Sequence, residues 1–173
     1  MVPPDAGATR IRDARPDDRG SIRDVTLAAY AEYASQMPAL WDGYRSNILA
    51  TLHDPGPAEQ IVAERDDAIV GTVLLYPTGV ALPGAGRPRV AWPEVRLLAV
   101  APAGRGRGVG EGLMRECVRR ARARGAPILA LHTTDMMRTA MRLYGRLGFV
   151  RAPELDVRVA PSLTVKGYRL DLG

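Results

Sequence analysis

Ala99-Val100-Ala101-Pro102-Ala103-Gly104-Arg105-Gly106-Arg107-Gly108-Val109-Gly110-Glu111 carries the end of an apolar strand into a glycine-dense turn and on into an amphipathic helix. Glycine lets the backbone bend sharply and come close to a ligand with no Cβ in the way. The first turn of a helix leaves N–H groups unpaired, and the macrodipole favours negative charge there. A strand, a glycine turn and a helix start in that order make a phosphate-binding arrangement. Arg105 and Arg107 add positive charge and forked donors.

Downstream, Val109, Leu113, Met114, Cys117, Val118 and Ala121 fall on one helical face, which predicts a helix over 109–124 ended by Gly125 and Pro127. A strand over 128–133 follows, then a helix over 137–147 closed by Gly148. A last strand alternates over 165–172, with one further short strand open near Phe149. Upstream, 94–100 is a strand, and 60–64 and 69–76 form a hairpin across Arg65-Asp66-Asp67-Ala68. Thr9–Arg12 reads as a first strand. Asp17 or Asp18 can cap a helix after Pro16 that runs to about Tyr33, and a second helix covers 40–52. The Gly- and Pro-rich stretch 78–93 reads as a loop and a substrate rim. Helices alternating with strands predict an α/β sheet with covered faces. Strand 94–100, helix 109–124 and strand 128–133 make a parallel crossover.

Two common nucleotide loops do not fit. No lysine follows the glycines, so the Gly-Lys-Ser/Thr ending is missing. A Gly-x-Gly-x-x-Gly reading puts Glu111 or Val109 where the third glycine belongs. What remains, Arg105-x-x-Gly108-x-Gly110, resembles the signature of the GNAT superfamily of N-acetyltransferases. The segment Leu143-Tyr144-Gly145-Arg146-Leu147-Gly148-Phe149 is similar to that family's Leu-Tyr-x-x-Leu-Gly-Phe. The two stand in the right order and at a suitable spacing. The resemblance implies an α/β (α+β) fold in a single domain of residues 1–173. It is a mixed, mostly antiparallel sheet flanked by helices, with a splayed parallel strand pair at the cofactor site. It implies acetyl-CoA as cosubstrate, its pyrophosphate on the amides of Arg105, Gly106, Arg107, Gly108, Val109, Gly110 and Glu111. Amides around Leu98, Ala99 and Val100 would bond the pantetheine arm and polarise the acetyl carbonyl.

The implied reaction is direct attack of a primary amine on the thioester in a ternary complex. Tyr144 matches the family tyrosine that protonates the departing thiolate, and a phenol is a suitable donor for that task. Glu94 stands where some members place a general base. His132 is its rival, since imidazole titrates near neutrality. Many members carry asparagine where this chain has Met137, so that residue's role does not transfer; Asp135, Thr133 and Thr134 are the nearby polar groups. Tyr30, Tyr33, Trp41, Tyr44 and Trp92 are candidates to line an acceptor pocket. A non-catalytic acyl-CoA-binding regulatory domain is the alternative.

Composition narrows the partners. Apolar residues are 46% and charged residues 25% of the 173, ordinary globular usage. The formal charge is +5, with Lys166 the only lysine. The arginines of helix 109–124 read as a solvated face supported by Glu111–Arg115 and Glu116–Arg120 pairs, not as a specific nucleic-acid surface. Cys117 is the single cysteine, which excludes an internal disulfide and suits a reducing, cytoplasmic setting. Its place on the apolar stripe makes it a core thiol. His53 and His132 form no metal-ligand pattern with it, so no metal is expected. No apolar run is long enough to span a bilayer, and Met1–Thr9 reads as a frayed end. The expected partner is a small-molecule or peptide amine acceptor; a homodimer is open, because members of the family often pair.

Overall fold

The computed structural model describes residues 7–80 and 91–173. Most of the expected frayed end, and residues 81–90 of the expected rim loop, lie outside them. The chain divides into two compact units: one takes the chain up to Leu75 together with Leu97–Glu116, the other Tyr76–Arg96 with Cys117–Gly173.

The first unit contains β1 (Arg10–Asp13), α1 (Arg19–Tyr30), α2 (Trp41–His53), β2 (Glu59–Arg65) and β3 (Ala68–Tyr76) up to Leu75. It also holds the second half of β4 (Glu94–Val100) and the first half of α3 (Val109–Ala123). β1 runs antiparallel to β2 from Arg10↔Glu64 to Asp13↔Ile61, and β2 antiparallel to β3 from Glu59↔Leu75 to Arg65↔Ala68. The expected hairpin closes through Asp66 and Asp67, both at positive φ (48° and 58°). A two-residue turn with two left-handed positions matches the strand twist, and aspartate tolerates that conformation. Ile61, Val62 and Ala63 are all fully buried, the continuous pattern of a strand covered on both faces. Gly71 makes room for α3: a Cβ there would lie 2.7 Å from Val109 and 3.0 Å from Leu113.

The predicted stripe of α1 holds, with Ile22, Thr26 and Ala29 buried. The helix ends earlier than expected, at Tyr30, and continues as a 3-10 segment, Ala31–Gln36. Pro38 disfavours helical backbone at the residue before it, and Met37 leaves the helical region (φ −137°, ψ 52°). The capping expectation is also corrected. At the N-cap position of α1, Asp18 has helical dihedrals and makes no side-chain cap; it instead caps the 3-10 turn Pro16–Asp18 that precedes α1. Its carboxylate accepts the Arg15 N–H (2.7 Å) and the Arg12 guanidinium (2.7 and 3.1 Å). Arg12 also bonds Glu64 on β2, so one guanidinium ties the start of α1 to the sheet.

The second unit contains the first half of β4, the second half of α3, β5 (Ile128–Thr133), α4 (Arg138–Arg146), β6 (Val150–Arg151), β7 (Val157–Ala160) and β8 (Leu163–Asp171). β4 and β5 are parallel at Glu94↔Ala130 and Val95↔Leu131. The remaining pairings are antiparallel: β5 with β8 from Ile128↔Asp171 to Thr133↔Lys166, and β8 with β6 and β7. The mixed, mostly antiparallel arrangement with a parallel β4–β5 pair is the expected one. β6 is the short strand left open near Phe149. β7 was not anticipated; four residues are too few for a periodic signal, and its pairing starts β8 two residues early, at Leu163. Among the described residues no helix is long and apolar enough to cross a membrane.

Arg12 holds the Asp18 and Glu64 carboxyls below their usual range. Groups depressed in the folded state stabilise it fully above the unfolded value, and that contribution drains as pH falls through the folded value. Arg12→Gln should therefore lower stability at pH 7, and its deficit against wild type should shrink as urea unfolding is repeated below about pH 4.

Candidate functional site

The first unit holds the glycine turn. β4 carries Leu97 at φ 50°, a left-handed residue with a side chain inside a strand. Such positions cost about 1–3 kcal/mol and persist only where the surroundings impose them. The next residue is fixed from the helix side: the Tyr30 hydroxyl donates to the Leu98 carbonyl at 3.2 Å. Ala99 is buried, while Leu98 and Val100 are half-buried. After β4, Ala101 N–H bonds Val70 O (2.9 Å), and a 3-10 turn, Pro102–Gly104, leads into the loop. Gly106 and Gly108 have φ of 74° and 75°. Among the described residues, chain neighbours aside, no atom lies within 4 Å of a Cβ built on either glycine. The glycines are therefore required by the backbone, and no described residue crowds the space above them. Gly108 O accepts the Gly112 N–H (2.9 Å), α3 begins at Val109, and Gly110 and Glu111 complete its first turn.

The loop's two arginines differ. Arg105 pairs with Glu32 at 2.8 Å and reaches Ala29 O at 3.4 Å, so its side chain binds the end of α1 and the segment after it. Arg107 is exposed. Glu111 pairs with Arg115 (2.7 Å), as expected. Four of the five aromatic candidates come together: Tyr30 lies near Tyr33 and Tyr44 (centroids 6.0 and 6.1 Å), and Tyr44 near Trp41 (6.3 Å). Burial, reinforced by Glu32, pushes the Tyr33 phenol up to about 12, so it stays a neutral donor at physiological pH. Trp92 belongs to the second unit.

That unit also holds Glu94, His132 and Tyr144. Glu94 is buried at 2% exposure. Its Oε1 is 3.0 Å from His132 Nδ1, and His132 Nε2 is 2.6 Å from Leu155 O. The two rival bases are thus one hydrogen-bonded pair. Tyr144 is buried on α4 against Phe149, centroids 5.9 Å apart. Met137 is buried just before α4. Of the polar groups near it, Asp135 is committed to Lys166 (2.7 Å). Thr133 and Thr134 keep buried hydroxyls with no hydrogen-bond partner among the described residues. No cluster able to hold a metal ion occurs among the described residues. Sequence reasoning missed Leu97, the Tyr30–Leu98 bond and the part of Leu155. Leu97 and Leu155 act through backbone, which leaves no trace in residue type.

The acetyltransferase (GNAT) family model matches residues 22–149, and the chain belongs to this family. It is 29% identical over 150 residues to a streptothricin acetyltransferase of Streptomyces lavendulae, covering 80% of this chain and 79% of that protein. It has the same identity, also over 150 residues, to a mycothiol acetyltransferase of Thermomonospora curvata; the match covers 86% of this chain but only 46% of that protein. The crystal structure of a GNAT family acetyltransferase from Brucella melitensis in complex with acetyl-CoA superposes with a TM-score of 0.62 at 26% identity. It covers 96% of this chain and 89% of that one.

Gly108→Ala places a methyl in open space, yet forces a Cβ into the left-handed region. Chemical denaturation should show a loss of about 1–2 kcal/mol.

Proposed function

We propose that this chain is an acetyl-CoA-dependent N-acetyltransferase that acetylates a primary amine by direct attack in a ternary complex, residues 1–173 forming one such domain. The observation that carries the reading is the left-handed pair Gly106 and Gly108, with open space above it at the start of α3. Family membership and the acetyl-CoA complex of the Brucella relative support it. The pyrophosphate would be held by the amides of Arg105–Glu111 and the charge of Arg107. The amides of Leu98–Val100, set by the turn at Leu97, would receive the pantetheine arm and the acetyl oxygen.

Acetyl-CoA supplies the activated acyl group. The chain supplies the proton handling. An ammonium cannot attack, so Glu94 takes a proton from the amine. Amides directed at the acyl oxygen stabilise its developing negative charge. As the C–S bond breaks, the Tyr144 phenol gives its proton to the sulfur, and the proton lost by the newly acylated nitrogen restores the phenol. Tyr30, Tyr33, Trp41 and Tyr44 offer an aromatic lining for the acceptor. The two relatives are a streptothricin acetyltransferase and a mycothiol acetyltransferase; for this chain we propose an amine of small-molecule or peptide type. The lone, buried Cys117 supports a cytoplasmic setting.

The test is calorimetry with coenzyme A followed by acetyl-CoA consumption over a panel of amines. Tyr144→Phe should keep the affinity for coenzyme A and lose about 10²–10⁴ in kcat. No heat with coenzyme A would overturn the proposal. Binding without turnover of any amine would leave a non-catalytic acyl-CoA-binding domain instead.

A further inference from the structure

The contacts of His132 fix its protons. Leu155 O is a carbonyl and can only accept, so at 2.6 Å the facing Nε2 must carry a hydrogen. On the other side Nδ1 lies 3.0 Å from Glu94 Oε1. A neutral imidazole with Nε2–H would turn a lone pair on Nδ1 toward a carboxylate oxygen. That contact is repulsive, so a second proton lies between Nδ1 and Oε1. The pair holds two protons and has no net charge. Its side chains are 13% and 3% exposed, where a lone carboxylate would be costly and a neutral pair is tolerated.

The Leu155 carbonyl is held in place from β8. Gly167 is the register partner of His132. A Cβ at Gly167 would run into Leu155 and come within 2.9 Å of Ala152 O. The missing side chain lets the turn Pro153–Leu155 settle on the strand. Ala152 N–H bonds Gly167 O (2.9 Å), and Gly167 N–H bonds Asp156 (2.9 Å). Arg151 grips Asp156 through two bonds of 2.7 Å and also reaches Gly167 O.

We propose that His132 is a positioning residue for Glu94: anchored on Leu155 O through Nε2–H, it holds the buried carboxyl in place by a hydrogen bond from Nδ1 to Oε1. The inference rests on Glu94 being the base of the proposed reaction. The proton leaving the amine nitrogen is then taken by the Glu94 carboxylate. The pair goes from zero to one positive charge, and returns to zero when that proton passes to water.

Two measurements test this. ¹⁵N NMR of histidine-labelled wild-type protein at pH 7, assigned against a His132→Asn sample, should show Nε2 protonated and a hydrogen-bonded proton at Nδ1. An Nδ1–H tautomer with bare Nε2 overturns the proposal. Asparagine places its amide nitrogen near the position of Nδ1, and glutamine near that of Nε2. His132→Asn should therefore keep a donor to Glu94 and retain kcat. His132→Gln should lose about tenfold in kcat, equal to ~1.4 kcal/mol, with the KM for acetyl-CoA unchanged. Equal kcat in the two folded variants also overturns the proposal. The NMR result stands even if a variant fails to fold. Failure to bind coenzyme A would sink the functional reading while leaving the proton assignment to the spectrum.

Discussion

The backbone turn of β4 at Leu97 is the constraint on which the described site rests. A strand must place every N–H and C=O. The ladder of β4 with β5 registers at Glu94 and Val95, and two residues later Leu97 adopts φ 50°. The Tyr30 hydroxyl then takes the Leu98 carbonyl. Residues before the turn belong to a buried parallel pair. Residues after it lead directly to the glycine loop. One strand thereby carries the proposed base in its first half, within the second unit, and the amides proposed for the cofactor in its second half, within the first.

Helix α1 does more than cover the sheet. Arg12 and Asp18 fix its start to β1 and β2. Tyr30, its last residue, bonds β4, and Arg105 of the loop bonds Ala29 and Glu32 at its end. Four of the five aromatic candidates for the acceptor pocket sit on this helix and on the segments that follow it. In the first unit the aromatic cluster and the glycine loop are therefore joined by named polar contacts, and a change at Glu32 or Tyr30 bears on both.

In the second unit, burial decides the chemistry. A carboxylate at the position of Glu94 is useful as a base only if it keeps its place in an apolar setting. In the proposed arrangement His132 meets that need, because a carbonyl behind it faces Nε2. That carbonyl depends on a glycine in β8, on the turn Pro153–Leu155 and on the Arg151–Asp156 grip. The C-terminal hairpin thus supports the site although none of its residues is a candidate catalyst.

Sequence alone determined the features that depend on neighbours in the chain. The apolar runs, the helical stripe of α3, the Asp66-Asp67 turn and the glycine loop were all legible, because periodicity and left-handed backbone leave direct marks in residue type. The two signature segments added the family. Only the tertiary structure decided the rest. Glu94 and His132 are 38 positions apart and read as competitors until the parallel β4–β5 pairing is known. Leu97 adopts a glycine-like φ with nothing in Leu97-Leu98 to announce it, and Gly167 looks like a weak point in a strand until a turn is seen resting on it. In each case the cause is a contact between residues distant in the chain, and local residue preferences carry no record of such contacts.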